Sequence, residues 1–183
     1  MVIETLSLGF RPQRTIVLVG MMGVGKTSVG RRLAKYLSAP FSDSDQEVEK
    51  AAGCTVSDIY DFYGEQAFID AEYRVIERIL AGPPQILATG VGGFAIDKTR
   101  RLIQENSLSI WLKADIDAIL PRVSRRSHRP QIQKGDMAQT ISQLLEAYTP
   151  SYEKAHVIVD CCAQNPVKTM ELIVTTLQRY KEE

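Results

Sequence analysis

Short apolar runs alternate with longer segments of helical periodicity along most of the chain. Four runs have the length of buried strands and a fifth is weaker; they occupy residues 16–19, 40–42, 86–88, 108–112 and 157–159. This alternation predicts an α/β fold with a central parallel sheet of five strands, flanked by helices. Because ligands of such sheets bind beyond the carboxyl ends of the strands, the residues after each run are the candidate functional positions.

The first apolar run leads directly into Gly-Met-Met-Gly-Val-Gly-Lys-Thr at residues 20–27. Its glycines can adopt the positive φ angles that let backbone N–H groups converge on an anion. Lys26 would place a positive charge near the β- and γ-phosphates of a nucleotide, and Thr27 offers a hydroxyl to Mg²⁺. The alternative is a chance glycine-rich turn, and the flanking residues argue against it.

The segment after this string has the periodicity of a helix. Val29, Leu33 and Leu37 recur at the spacing of one helix face. The motif binds phosphate only between a strand and a helix, where the positive end of the helix also faces the anion. The sequence therefore predicts a phosphate-binding loop.

Two carboxylates, Asp43 and Asp45, follow the weakest apolar run. Side chains two residues apart at the end of a strand point the same way, so both can face one site. One can organise Mg²⁺ through its water shell, and the other can accept a proton from an alcohol that attacks a phosphoryl group. The alternative is that both cap a helix that begins near Gln46.

Two longer segments interrupt the alternation of strands and helices. Residues 46–80 are helical by period and are expected to form a small acceptor-binding subdomain; the predicted buried positions are Ile59, Phe62, Phe68, Val75, Ile76 and Ile79. A second segment, 122–135, carries four arginines within its first nine positions. It is either a solvated charge run or a lid that brings guanidinium groups over a transferring phosphate.

The composition limits the partners of the protein. Its 183 residues carry 22 basic and 22 acidic side chains, so no general nucleic-acid or membrane partner is expected. No apolar run reaches the roughly 18 residues of a membrane span, and a cytoplasmic protein is expected. The length suits a single domain, 1–183, with a monomer as the default. The cysteines and histidines lack metal-ligand spacing, which leaves Mg²⁺ as the implied metal.

Six strings occur in the order and at the spacing of one enzyme family. They are Gly-Met-Met-Gly-Val-Gly-Lys-Thr-Ser-Val-Gly (20–30), Phe-Ser-Asp-Ser-Asp (41–45), Tyr-Gly-Glu-Gln-Ala-Phe (63–68), Ala-Thr-Gly (88–90), Arg-Pro (129–130) and Pro-Ser-Tyr (150–152). On these strings the chain resembles the shikimate kinases over nearly its whole length. The resemblance implies a P-loop kinase fold that uses ATP and Mg²⁺ to phosphorylate shikimate, the small-molecule acceptor, for aromatic amino acid biosynthesis.

The resemblance also assigns roles to individual residues. Thr27 and Asp43 would bind the metal and its water shell, and Asp45 would bind the acceptor hydroxyl as the base. Lys26 and the lid residue Arg129 would complete the catalytic set. The implied nucleotide-binding residues are Gly23, Val24, Gly25, Lys26, Thr27, Ser28, Arg122, Arg129 and Pro166.

The acceptor half departs from the family pattern at three positions. The implied acceptor-binding positions are Asp45, Ile69, Gly90, Val91, Gly92 and Tyr148, and Glu72 also matches a family position near the acceptor. The family has carboxylate-binding arginines at the positions of Ile69 and Tyr148, and a glycine at that of Val91. Since a hydrogen bond to a charged group contributes about 1.5–3 kcal/mol, losing both arginines would cost roughly 3–6 kcal/mol, or on the order of 10²–10⁴ in affinity. Arg74 and Arg78 are candidate replacements.

Three functions remain open on these residues. The first is phosphorylation of shikimate to shikimate 3-phosphate. The second is ATP-dependent phosphorylation of a smaller and less anionic alcohol, which the loss of both arginines favours. The third is a nucleotide-binding regulator with weak or no catalysis.

Overall fold

The computed structural model describes residues 12–124, 136–161 and 165–182. Its strands are β1 (Thr15–Val19), β2 (Phe41–Asp43), β3 (Ile86–Ala88), β4 (Ser107–Lys113) and β5 (Val157–Asp160). They form one sheet in the order β2-β3-β1-β4-β5, and every neighbouring pair is parallel. Each predicted apolar run overlaps one strand, with Pro40 just before β2, so the predicted five-stranded parallel sheet is confirmed.

Seven α-helices accompany these strands in the described part of the chain. They are α1 (Lys26–Tyr36), α2 (Ser44–Ala52), α3 (Val56–Leu80), α4 (Asp97–Asn106), α5 (Ile116–Val123), α6 (Met137–Tyr152) and α7 (Pro166–Glu182). A 3₁₀ turn, Gly93–Ala95, lies between β3 and α4. Within the described ranges, no helix is both long and apolar enough to cross a membrane.

The central strand β1 separates two layers of the core. Ile16 and Leu18 are buried together with side chains of α1 and α7, whereas Val17 and Val19 are buried with side chains of α3, α4 and α6. Successive side chains of a strand point to opposite faces, and both faces of a parallel sheet are covered. This is why β1 is apolar at every position from Ile16 to Val19 instead of at alternate ones.

The segment predicted to be helical at 46–80 consists of two helices, and the first begins at Ser44. Gly53, with φ 71°, ends α2, and α3 begins after the N-cap Thr55. Gly64 then kinks α3 with φ 81° and ψ 170°. The predicted burial of Phe62 is wrong, since its exposed fraction is 77%; the other five predicted positions are buried. Ile59, three residues earlier and also before the kink, is buried, so this end of α3 buries a narrower face than the helical spacing predicts.

The predicted lid at 122–135 falls largely outside the described residues. Arg122 and Val123 form the last turn of α5. Arg129 belongs to 125–135, which lies beyond the described ranges. The lid and the acceptor-binding subdomain, as insertions in a single kinase domain, therefore stay predictions.

Gly30 on α1 faces Phe41 of β2 at close range, which makes it sensitive to substitution. A Cβ at Gly30 would lie 2.6 Å from Phe41 Cε2. We expect Gly30→Ala to lower the free energy of unfolding by about 1–2 kcal/mol, because the strain of overpacking exceeds the gain in helix propensity. Urea unfolding measures the change. Gly82→Ala is the control, since its Cβ would meet nothing closer than 3.4 Å; equal losses in the two variants would contradict the packing argument.

Candidate active site

A cleft of about 400 Å³ lies beyond the carboxyl ends of β1, β2 and β3. Its walls come from the loop after β1, the start of α2, the loop after β3, and residues of α5 and α7. The lining residues are Met22, Gly23, Gly25, Lys26, Thr27, Ser28, Asp43, Asp45, Thr89, Gly90, Val91, Arg122 and Pro166. The site residues predicted from the sequence include all of these except Met22 and Thr89. The structure therefore brings together residues that are far apart in the chain.

The loop between β1 and α1 turns through three glycines with positive φ. The angles are 138° at Gly20, 76° at Gly23 and 99° at Gly25, as the sequence predicts. Gly25 is the N-cap of α1 and has no side chain to bond the amides of the first turn. The positive end of α1 thus faces the cleft and favours an anion. The side chain of Val24 is buried in the core, so a ligand in the cleft would meet its backbone.

Lys26, the first residue of α1, is buried, and its ammonium group lies against the end of β1. Nζ donates hydrogen bonds to the carbonyl oxygens of Gly20 at 2.6 Å and of Met21 at 3.0 Å. These bonds hold the positive charge inside the loop. A compact ammonium group suits phosphate oxygens, to which lysine binds as a point charge.

Thr27 and Asp43 place two oxygen groups side by side in the cleft. Thr27 Oγ1 donates to Asp43 Oδ2 at 2.7 Å. Asp43 is also the N-cap of α2, and its Oδ1 accepts from the Gln46 amide at 3.5 Å. Asp43 therefore caps a helix and still presents an oxygen beside Thr27. Hard oxygen donors of this kind suit Mg²⁺.

Asp45 does not cap α2, so the interpretation in which both aspartates are caps is wrong for this residue. It is the second residue of the helix, and the helix sets its orientation. Its Oδ1 is buried and lies 2.7 Å from the position that a Cβ on Gly90 would occupy. Asp43 and Asp45 both line the cleft, as predicted. Asp45 lies next to residues 89–93, the loop after β3, which we call the glycine loop.

Glu72 is a buried carboxylate next to Asp45 and the glycine loop. Its Oε1 accepts hydrogen bonds from Ser44 Oγ at 2.8 Å and from the Gly90 amide at 2.9 Å. Burial raises the pKa of Glu72 to about 7, and the charge of Asp45 acts in the same direction. The two hydrogen bonds and the Lys26 ammonium group oppose this shift.

The sequence carries a signal for the burial of Glu72. It lies four residues after Phe68 and four before Ile76, both of which are buried on α3. A carboxylate on the apolar face of a helix is unusual and needs hydrogen-bond partners. Periodicity thus indicates that Glu72 is special, although it does not identify Ser44 or Gly90 as its partners.

The glycine loop after β3 packs closely around these carboxylates. A Cβ on Gly90 would lie 2.6 Å from Glu72 Oε1, and a Cβ on Gly93 would lie 2.9 Å from Glu72 Oε2. Val91 lines the cleft and is buried in the core, and its carbonyl oxygen accepts from Tyr152 Oη at 2.7 Å. The loop is therefore held from α3 on one side and from α6 on the other.

Ile69 and Tyr148, the other two positions that depart from the family pattern, are not among the residues that line the cleft. Tyr148 Oη lies 3.8 Å from the position that a Cβ on Gly92 would take. The Tyr148 ring packs edge-on against Tyr152, with the ring centroids 6.2 Å apart. Ile69 is half-buried on α3. Tyr148 thus lies at the glycine loop, and neither residue supplies a charge.

Arg122 reaches the cleft, whereas the candidate replacement arginines do not line it. Arg122 Nη1 donates to the Gly23 carbonyl oxygen at 3.3 Å. Arg78 Nη2 is bonded to Glu47 Oε2 on α2 at 2.7 Å, and Arg74 is exposed on α3. The hypothesis that Arg74 or Arg78 replaces a missing arginine gains no support from their positions.

Comparison with known proteins identifies the family. A family model described as shikimate kinase matches residues 22–178. The shikimate kinase of Caulobacter vibrioides is 48% identical over 166 residues, which cover 91% of this chain and 83% of that protein. This chain belongs to the shikimate kinase family. The shikimate kinase of Paramagnetospirillum magneticum is 43% identical over 178 residues, covering 95% of this chain and 91% of that one.

A solved structure shows the same fold. It is a shikimate kinase from Acinetobacter baumannii in complex with shikimate, with a TM-score of 0.86 and 31% identity; 92% of this chain and 93% of that chain are covered. The predicted P-loop kinase fold of the shikimate kinase family is therefore confirmed.

Glu72 should make the stability of this family member depend on pH. Its pKa is about 7 in the folded protein against an ordinary value of 4.5, so the folded state binds the proton more tightly. The contribution of Glu72 to stability is then fully present below pH 4.5 and is lost as the pH rises to about 7, a loss of about 3 kcal/mol. Urea unfolding between about pH 4 and pH 8 measures this slope, and Glu72→Gln should remove it. The control Glu77→Gln, on the exposed face of α3, should keep it; an unchanged slope in Glu72→Gln would contradict the assignment.

Proposed function

We propose that this protein transfers the γ-phosphoryl group of ATP to shikimate and forms shikimate 3-phosphate, a step of aromatic amino acid biosynthesis. The observation that carries the proposal is a single cleft that joins the phosphate-binding loop to Asp45 and the glycine loop. The similar structure that contains shikimate supports this acceptor. All assigned residues belong to one chain, so a monomer is sufficient for the proposed activity. We propose the cytoplasm as its location.

The nucleotide is assigned to the end of the cleft formed by α1 and its loop. Backbone amides of the loop and the first turn of α1 would bind the phosphates, with Lys26 between them. Arg122 and Pro166, which line the same cleft on α5 and α7, are assigned to the adenine side. The full set is Gly23, Val24, Gly25, Lys26, Thr27, Ser28, Arg122 and Pro166, together with Arg129 of the predicted lid.

Thr27 and Asp43 are the residues that would hold Mg²⁺. Their oxygens lie 2.7 Å apart beside the phosphate-binding loop, and this donor set fits an ion that keeps much of its water shell. When bound, Mg²⁺ neutralises negative charge on the phosphates.

Asp45 is assigned as the group that binds and deprotonates the acceptor hydroxyl. The hydroxyl would be oriented by this carboxylate toward the phosphoryl group, and such positioning supplies much of the rate of phosphoryl transfer. Lys26 would stabilise the negative charge on the transferred group. Arg129, which the sequence assigns to the lid, would add charge and exclude water. Gly90, Val91 and Gly92 would form the wall against which the acceptor lies.

A less anionic alcohol is the second candidate for the acceptor. Among the described residues that line the cleft, the cations are Lys26 and Arg122, and both bond to the phosphate-binding loop. Ile69 and Tyr148 provide no positive charge for a carboxylate, although the Tyr148 hydroxyl can donate one neutral hydrogen bond. This observation favours a neutral polyol over a carboxylic acid.

A coupled assay of ADP release with millimolar shikimate tests the leading proposal. We expect release above the ATPase background, and we expect Asp45→Asn to reduce it on the order of 10²–10⁴-fold because the base is lost. Calorimetry should show nearly unchanged affinity of Asp45→Asn for ATP with Mg²⁺. The control Asp70→Asn, on the exposed side of α3, should keep full activity. Release equal to the background would remove shikimate as the acceptor, and stabilisation by ATP with no alcohol turned over would indicate a regulator.

Restoring the two arginines separates the two acceptor candidates. If the shikimate carboxylate lacks a charged partner, Ile69→Arg with Tyr148→Arg should raise kcat/KM for shikimate on the order of 10²–10⁴-fold and leave KM for ATP unchanged. Ile69→Gln with Tyr148→Gln is the neutral control of similar length and should give a much smaller gain. No gain in the arginine variant would contradict the argument from missing charge.

A further inference from the structure

Glu72 connects three elements at the cleft: α3, the start of α2 and the glycine loop. The proposed chemistry gives it no role. It lies on α3, bonds to Ser44 at the start of α2, and bonds to Gly90 in the loop after β3. Its exposed fraction is 2%. In the part of the chain that the structure describes, no ion pair includes Glu72. Hydrogen bonds therefore determine how this carboxylate is held.

The first link fixes the glycine loop. The Gly90 N–H points between two acceptors, Glu72 Oε1 at 2.9 Å and Ser44 Oγ at 2.8 Å. Ser44 Oγ donates in turn to the same Glu72 oxygen at 2.8 Å. All three groups are buried, where an amide or hydroxyl that loses its partner is costly. The loop can therefore take few other positions while Glu72 is in place.

The second link fixes Asp45. Asp45 follows Ser44 directly in the first turn of α2, so the bond from Ser44 to Glu72 anchors the turn that carries the Asp45 carboxylate. Glu72 Oε1 and Asp45 Oδ1 lie 2.6 and 2.7 Å from the same point, the Cβ position of Gly90. The two carboxylates thus lie against the same side of Gly90.

We propose that Glu72 is a positioning residue for phosphoryl transfer. It holds Gly90 and the start of α2, so that the Asp45 carboxylate keeps a fixed position relative to the acceptor wall. The inference rests on the proposed function, since it needs an acceptor hydroxyl at Asp45. Glu72 acts on acceptor use more than on nucleotide binding. Its hydrogen bonds reach neither Thr27 nor the glycines of the phosphate-binding loop, and it interacts with Lys26 through charge.

Steady-state kinetics with both substrates tests the positioning role. Glu72→Ala should lower kcat/KM for the acceptor about tenfold or more and raise its KM, since small displacements of reacting groups are costly, while KM for ATP stays within about twofold. Glu72→Gln should recover most of this loss, because the amide oxygen can accept both hydrogen bonds. A purely structural role predicts a different result, in which fewer folded molecules lower kcat and leave both KM values unchanged.

A second variant, Ser44→Ala, tests the same network if Glu72→Ala does not fold. It removes the hydroxyl between Glu72 and Gly90 and should change acceptor KM in the same direction, with a smaller effect. In the double variant with Glu72→Gln, the two effects should be less than additive, since both act on one network. Glu77→Gln, on the exposed face of α3, is the matched control and should behave like the parent protein. Additive effects, or an equal rise in KM for ATP, would overturn the proposal.

Amide hydrogen exchange separates this inference from the proposed function. Exchange at the Gly90 amide, followed by NMR, should be faster by about tenfold or more in Glu72→Ala and near the parent rate in Glu72→Gln. This result in a protein that phosphorylates no acceptor would refute the proposed function and leave the anchoring of the loop intact. Unchanged exchange in folded Glu72→Ala would overturn the positioning role, whatever the acceptor.

Discussion

The chain passes from β1 into α1 through positive φ angles, which residues with side chains disfavour. The cleft depends on this turn. Side chains on two of its glycines would also collide with their neighbours: a Cβ on Gly20 would lie 2.7 Å from the Leu112 oxygen, and one on Gly23 would lie 2.8 Å from Val123 Cγ2. The loop is therefore packed against β4 and α5. Its capacity to bind an anion comes from backbone amides whose direction this packing fixes.

Charge is distributed along the cleft in a way that suits two different reactants. Lys26 and Arg122 lie at the phosphate-binding loop, and Asp45 and Glu72 lie at the glycine loop. Two carboxylates this close repel each other, which is one reason why the pKa of Glu72 is raised. The negatively charged phosphate donor would thus lie beside positive side chains, and the hydroxyl acceptor beside carboxyl groups, on the two sides of the transferred group.

Local sequence determined what could be predicted. The five strands and the phosphate-binding loop each depend on a short continuous segment, and the structure confirms them. The break at Gly53 and the kink at Gly64 escaped prediction because a helical pattern continues through isolated glycines. The partners of Glu72 lie 28 and 18 residues away along the chain. Contacts at that separation follow from tertiary packing, which periodicity does not encode.

The two core layers on either side of the sheet separate α1 from the residues that pack behind the acceptor wall. Val91 and Tyr148 pack in the layer with α3 and α6, which also contains Met21 and Met22 of the phosphate-binding loop. In contrast, α1, which carries Lys26 and Thr27, is anchored by Val29 in the other layer. Close packing passes changes of volume to neighbours within a layer, and the sheet stands between the layers. Mutations can therefore accumulate on the acceptor side with little effect on the packing of α1, so new substrates can be tried while Lys26 and Thr27 keep their support.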